Sequence, residues 1–109
     1  MGVRFNVHDW WDDRCVRCGL DRVWYLKKLE GRVICLHFKD LNEKSPKAHD
    51  VPWGTGISNV KGMMKELKRQ KFKGAFCVEY EHHWDNSSPE IAECAKFFNA
   101  TCDELVADP

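Results

Sequence analysis

The run Arg32 to Phe38 (RVICLHF) is apolar almost throughout and has the length of a strand. A half-exposed strand alternates polar and apolar residues. This run instead reads as buried on both faces, as in a parallel sheet covered by helices. A second run, Ala75 to Tyr80 (AFCVEY), also has strand character. Strands of this kind require helices packed against them.

The intervening sequence supplies those helices. Val23, Tyr25, Leu26 and Leu29 fit one helix face, with Asp21 as N-cap and Gly31 closing the C-terminus. Val60, Met63, Met64 and Leu67 form a second face, capped by Ser58 or Asn59. Lys61, Lys65, Glu66, Lys68 and Arg69 are expected on its exposed side. Gly74 separates this helix from the second strand. Pro89 suits the first turn of a last helix, expected to bury Ile91, Cys94, Ala95, Phe98 and Leu105. Near the start, Val3 to Val7 alternates like a short strand, and residues 8 to 19 show no period. Residues 39 to 58 read as one long loop, with a polar middle and Pro46, Pro52, Gly54 and Gly56. The order β-α-β-loop-α-β-loop-α predicts an α/β fold with a parallel sheet and right-handed crossovers.

Composition narrows the partners. The chain has 109 residues, with 17 basic and 17 acidic side chains and a formal net charge of zero. That length suits one small domain. The balanced charge argues against nucleic acid or an anionic membrane as partner, since both favour a basic excess. No apolar run approaches the roughly 20 residues of a membrane span, and the N-terminus lacks the apolar core of a signal peptide. A cytoplasmic location is expected. The cysteines are Cys15, Cys18, Cys35, Cys77, Cys94 and Cys102. Cys35 and Cys77 lie in apolar runs and Cys94 in a helical stretch, so they read as small buried hydrophobes in a reducing compartment. Cys15 and Cys18 form the only CxxC pair. A structural zinc site needs four ligands, and neither a second CxxC nor a spaced histidine pair accompanies them.

In α/β folds the chemistry gathers at the C-terminal ends of strands. Here those ends read His37-Phe38-Lys39-Asp40 and Glu79-Tyr80-Glu81-His82-His83. Polar groups there cost desolvation unless paired or coordinated. His37 shares a strand side with Val33 and Cys35. It can ligate a divalent ion or sit as a core imidazole bonded to a carbonyl. Glu79 shares a side with Cys77 and can be a ligand, a general base, or an ion-pair partner of Lys39 or Lys73. Glu81 lies further out as a rim residue. Asp40 can ligate, orient His37 or cap the loop. Lys39 can meet a sugar oxygen or a phosphate. Trp53, within VPWGTG, can stack on a sugar or anchor its loop. His82 and His83 read as exposed loop residues.

Two segments, ICLHFKDLN (34 to 42) and HDVPWGTGISNVKGMMKELKRQKFKGAFCVEYE (49 to 81), resemble the C-terminal part of the sugar phosphate isomerase/epimerase family with the xylose isomerase-like TIM barrel. The resemblance covers about residues 19 to 105. It rests on the H-x-K-D strand end, a glycine loop, the helix that follows, and the V-E-Y-E strand. It implies the C-terminal βα units of a (β/α)₈ barrel, incomplete in this chain, since the full fold needs roughly 250 residues. Residues 1 to 18 then form a divergent N-terminal segment, and 19 to 109 the barrel portion. By this resemblance His37 and Glu79 are metal ligands and Glu79 is also the catalytic acid/base. Lys39 and Asp40 match the other motif positions, as substrate-side or orienting groups; Trp53 as a substrate contact and Glu81 as an outer supporting group rest on their own positions in the sequence. The implied cofactor is Mn²⁺, Mg²⁺, Co²⁺ or Zn²⁺, held weakly or not at all here.

The sequence departs from the family pattern before Cys18-Gly19-Leu20-Asp21, where a D-x-G-H strand end is missing; His8 and Asp9 stand too far from Gly19 to replace it. Asn59 stands where the family often has Asp. The expected activity is proton transfer next to the carbonyl of a sugar or sugar phosphate, with the chain inactive alone. Two other readings carry different tests. A non-catalytic interaction module would self-associate through an open sheet edge. A metal-dependent hydrolase resembling AP endonucleases would want more ligands and a basic surface, which the neutral charge does not offer.

Overall fold

In a computed structural model of the chain, residues 5–7 and 21–107 are described. The elements are β1 (Phe5–Val7), α1 (Arg22–Lys28), β2 (Val33–Phe38), β3 (Asp40–Leu41), β4 (Asp50–Val51), α2 (Val60–Arg69), β5 (Ala75–Val78) and α3 (Ser88–Ala107). Three strands form a parallel sheet in the order β1-β2-β5. Cys35 lies opposite Ala75, His37 opposite Cys77 and Phe38 opposite Val78. On the other edge Asn6 lies opposite Cys35, and the register shifts between Phe5 and Asn6. The described sheet is open: three parallel strands cannot close a barrel that takes about eight.

Local chemistry sets the helix ends. Asp21 caps α1, accepting hydrogen bonds from the backbone of Val23 at 2.9 Å and Trp24 at 3.4 Å. Gly31 follows the helix at φ +79°, a conformation that favours glycine. Asn59 caps α2 from the left-handed region, at φ 57°, and accepts from Gly62 N. Asparagine tolerates that conformation better than most residues.

One side of the sheet is finished by these helices. Leu36 and Phe38 of β2 are fully buried against Leu26 of α1, the four apolar residues of α2, Cys94 and Leu105 of α3, and Trp53. Phe38 meets the Trp53 ring edge-on, with centroids 5.4 Å apart. The α2 face is the one its periodicity predicts.

Five expectations need correction. The sheet is not buried on both faces: Cys35 and His37, on the side away from the helices, are half-buried, and no described strand covers that side; Ile34, on the helix side, is itself exposed. Residues 39 to 58 are not a plain loop. β3 and β4 pair antiparallel within them, Asp40 opposite Val51. The last strand ends at Val78 rather than Tyr80, since β2 ends at Phe38; one further bond runs from Glu79 N to the Phe38 carbonyl at 2.9 Å. Glu66 is buried, not exposed, where Arg69 and Gln70 satisfy its carboxylate. On α3, Ile91 and Ala95 are exposed, and the buried line runs through Cys94, Thr101 and Leu105.

Candidate functional site at the strand ends

Side chains alternate across a strand. With Leu36 and Phe38 committed to the helices, Cys35 and His37 emerge on the opposite side of β2. Cys77 of β5 and Glu79, one residue past its end, emerge beside them, because the register sets His37 against Cys77. The structure therefore brings His37 and Glu79 together: His37 Nδ1 stands 3.1 Å from Glu79 Oε1. Their side chains are 37% and 21% exposed, so the pair is open to a ligand yet supported by the sheet. Cys35 and Cys77 are not the small buried hydrophobes that their apolar runs predict. They are half-buried free thiols beside His37. Burial, and then the neighbouring Cys77, push the Cys35 thiol up.

Further along the same strand ends lies a charge cluster around a buried lysine. Lys39 is 4% exposed; its Nζ donates to Glu81 Oε1 at 2.9 Å and stands 3.5 Å from Asp50 Oδ1. Asp50 also accepts from the Glu81 backbone. A buried ammonium offset by two carboxylates is not presented to a substrate, so Lys39 differs from its expected role as a substrate contact. Glu81 holds Lys39 rather than His37. Asp40 is 1% exposed and does not orient His37. Its Oδ1 accepts from the backbone of Leu41 and Ser58, and its Oδ2 from that of Gly54 and Gly56, each at 3.0 Å. It caps the loop, the third of the roles open to it. Trp53 is 3% exposed, packed between Phe38 and Phe98. It anchors the loop and offers no ring face to a sugar.

Three residues of the scaffold escaped the sequence reading. Arg22 is buried and donates from its guanidinium to the carbonyls of Lys39 at 3.0 Å and Ser58 at 3.1 Å, tying α1 to the strand end. Asp50 had no signal beyond its place in a polar loop. His49 stacks on His82 at 4.2 Å, and His82 leans on His83, which bonds Glu90. His82 and His83 are thus organised rather than loose. A cleft lined by Val33, Ile34, Phe72 and Gly74 opens at the opposite end of the strands, away from His37 and Glu79.

His8, Asp9 and the Cys15–Cys18 pair lie outside the described residues. Among the described residues, no helix is long and apolar enough to cross a membrane. Over residues 5–101 the sequence matches the family described as xylose isomerase-like TIM barrel. No curated protein matches it.

Proposed function

The chain belongs to the xylose isomerase-like TIM barrel family, and from that premise we propose that it carries part of a divalent-metal-dependent sugar or sugar phosphate isomerase/epimerase site. The observation that supports this reading is the His37–Glu79 contact of 3.1 Å at the C-terminal ends of two adjacent parallel strands. That is the end where TIM barrels place their chemistry.

The donor types fit. An imidazole nitrogen and a carboxylate oxygen suit Mn²⁺, Co²⁺ or Zn²⁺, and Mg²⁺ accepts the carboxylate. Two donors fall short of a hard ion's full set, so the remaining ligands come from outside the three described strands. When bound, such an ion polarises the sugar carbonyl and acidifies the adjacent C–H. Glu79 then serves as the base that takes that proton and returns it. A general base must approach within about 2.6–3.2 Å of the proton's carbon or reach it through one water. His37 fixes the orientation of Oε1, and the packed strand beneath holds both groups in place. The Lys39–Glu81–Asp50 cluster stiffens the strand ends without touching substrate. A second acid/base is needed to deliver the proton to another face or carbon, so the chain on its own is inactive.

Mn²⁺ titration followed by electron paramagnetic resonance tests the reading. The wild type binds Mn²⁺, and His37→Ala or Glu79→Gln each weakens binding about tenfold or more. Binding unchanged in both variants overturns it. Robust epimerase turnover by the purified chain would overturn the claim that the site is incomplete.

A further inference from the structure

The open face of the sheet carries a donor set that the sugar reading does not use. Cys35, His37 and Cys77 each place a ligand atom within 4.8 Å of the other two. We propose that these three residues form a thiolate–imidazole site for a zinc-class ion. The inference does not rest on the isomerase reading.

The backbone ladder builds the cluster. Cys35 and His37 are two residues apart on β2, hence on one side, and Cys77 is the register partner of His37 on β5. These positions belong to hydrogen-bonded strands, so the site does not depend on a mobile loop. The donors have the right softness. Thiolate sulfur and imidazole nitrogen select zinc over magnesium or manganese, which prefer oxygen. The spacing is within reach as well. Tetrahedral zinc, with Zn–S near 2.3 Å and Zn–N near 2.0 Å, holds its ligand atoms about 3.5–3.8 Å apart. Small side-chain rotations close that gap. Both cysteines carry free thiols, and each that ligates releases its proton.

The carboxylate next to His37 completes the arrangement. Glu79 Oε1 lies 3.1 Å from His37 Nδ1. A carboxylate bonded to a ligating histidine is the usual outer support of a zinc site, since it fixes the tautomer and raises the ring's basicity. Zinc would thus change the part Glu79 plays, from ligand of a hard ion to support for His37. Three protein ligands leave the fourth position for water. The two ion classes compete for His37, and zinc held by sulfur displaces Mn²⁺.

The test uses the full-length chain with Cys15→Ser and Cys18→Ser, which removes the CxxC pair as another source of thiolate. Reduced protein is titrated with Co²⁺, and then Zn²⁺ is added against a chromophoric chelator. The expected result is a near-ultraviolet sulfur-to-cobalt charge-transfer band, with visible bands of tetrahedral intensity. Cys35→Ala or Cys77→Ala lowers that band and weakens Zn²⁺ binding about tenfold or more. A second measurement does not depend on variant folding: Zn²⁺ slows iodoacetamide labelling of Cys35 and Cys77 but not of Cys102. Co²⁺ bound without a charge-transfer band overturns the proposal while leaving the His37–Glu79 metal reading standing. Absence of Co²⁺ binding, or equal labelling of all three cysteines with and without Zn²⁺, also overturns it.

Discussion

The two sides of strand β2 differ in what covers them and in what they carry. On one side Leu36 and Phe38 are wholly buried among apolar residues of the three helices and Trp53. On the other side His37 is 37% exposed at its side chain, beside Cys35, Cys77 and Glu79. The strand sequence is apolar almost throughout, yet only half of its apolar potential is used. The helix side holds the fold, while the open side carries donors that packing does not need. That division separates stability from chemistry residue by residue, along a strand where neighbours point in opposite directions.

The sharpest way to break the comparison is to truncate neighbours. Leu36→Ala should cost about 2–5 kcal/mol in urea unfolding, through lost burial and the cavity left behind. Cys35→Ala, one residue away, should cost about 1 kcal/mol or less. Equal costs would show that both sides carry the fold.

The next largest effect concerns the loop that continues from the strand. Asp40 accepts four backbone N–H bonds, and Gly56 packs so closely that a Cβ there would sit 2.2 Å from the Leu41 carbonyl oxygen. Asp40→Asn replaces one accepting oxygen with a donor and should cost about 3 kcal/mol. Hydrogen exchange should quicken across residues 40 to 58. Unchanged protection there would mean that the loop is held by other contacts.

Acid sharpens the picture on the helix side. Hydrogen bonds from Arg69 hold the Glu66 carboxyl down at about 2 against the opposing effect of burial, where its ordinary value is 4.5. A depressed carboxyl stabilises the folded state while it is ionised. This contribution is complete above about pH 4.5 and is lost as pH falls toward about 2. The urea midpoint of the wild type should therefore fall across that window, and Glu66→Gln should flatten the fall. Identical profiles would remove Glu66 from the acid response.

The smallest stability effect belongs to the candidate site. His37→Ala should change unfolding free energy by about 0.5 kcal/mol or less, yet weaken Mn²⁺ and Zn²⁺ binding alike. A large loss of stability would make His37 a structural residue.

Much of this was legible from sequence alone. Period and capping located α1, α2 and the strand β2, because helix faces and N-caps depend on residues within a turn or two of each other. The family was legible because its motifs recur in order. The ends of elements were less so: β5 stopped early because its partner strand turned away, which no local pattern records. Glu66 looked exposed because a charged residue beside Lys65 normally is; only Arg69 and Gln70 folding over it made burial tolerable.

Sequence thus determined which segments are strands and helices, and that His37 and Glu79 stand at strand ends. Tertiary structure alone decided what those ends do. His37 and Glu79 lie 42 residues apart, as do Lys39 and Glu81, and only the β2–β5 register makes them neighbours. The same register set Cys77 beside His37 and turned two apparent core cysteines into candidate ligands. It left Asp40 and Trp53 to the loop. Local sequence specifies direction along a strand, but pairing across strands depends on contacts distant in the chain, and the chemistry of this site is made there.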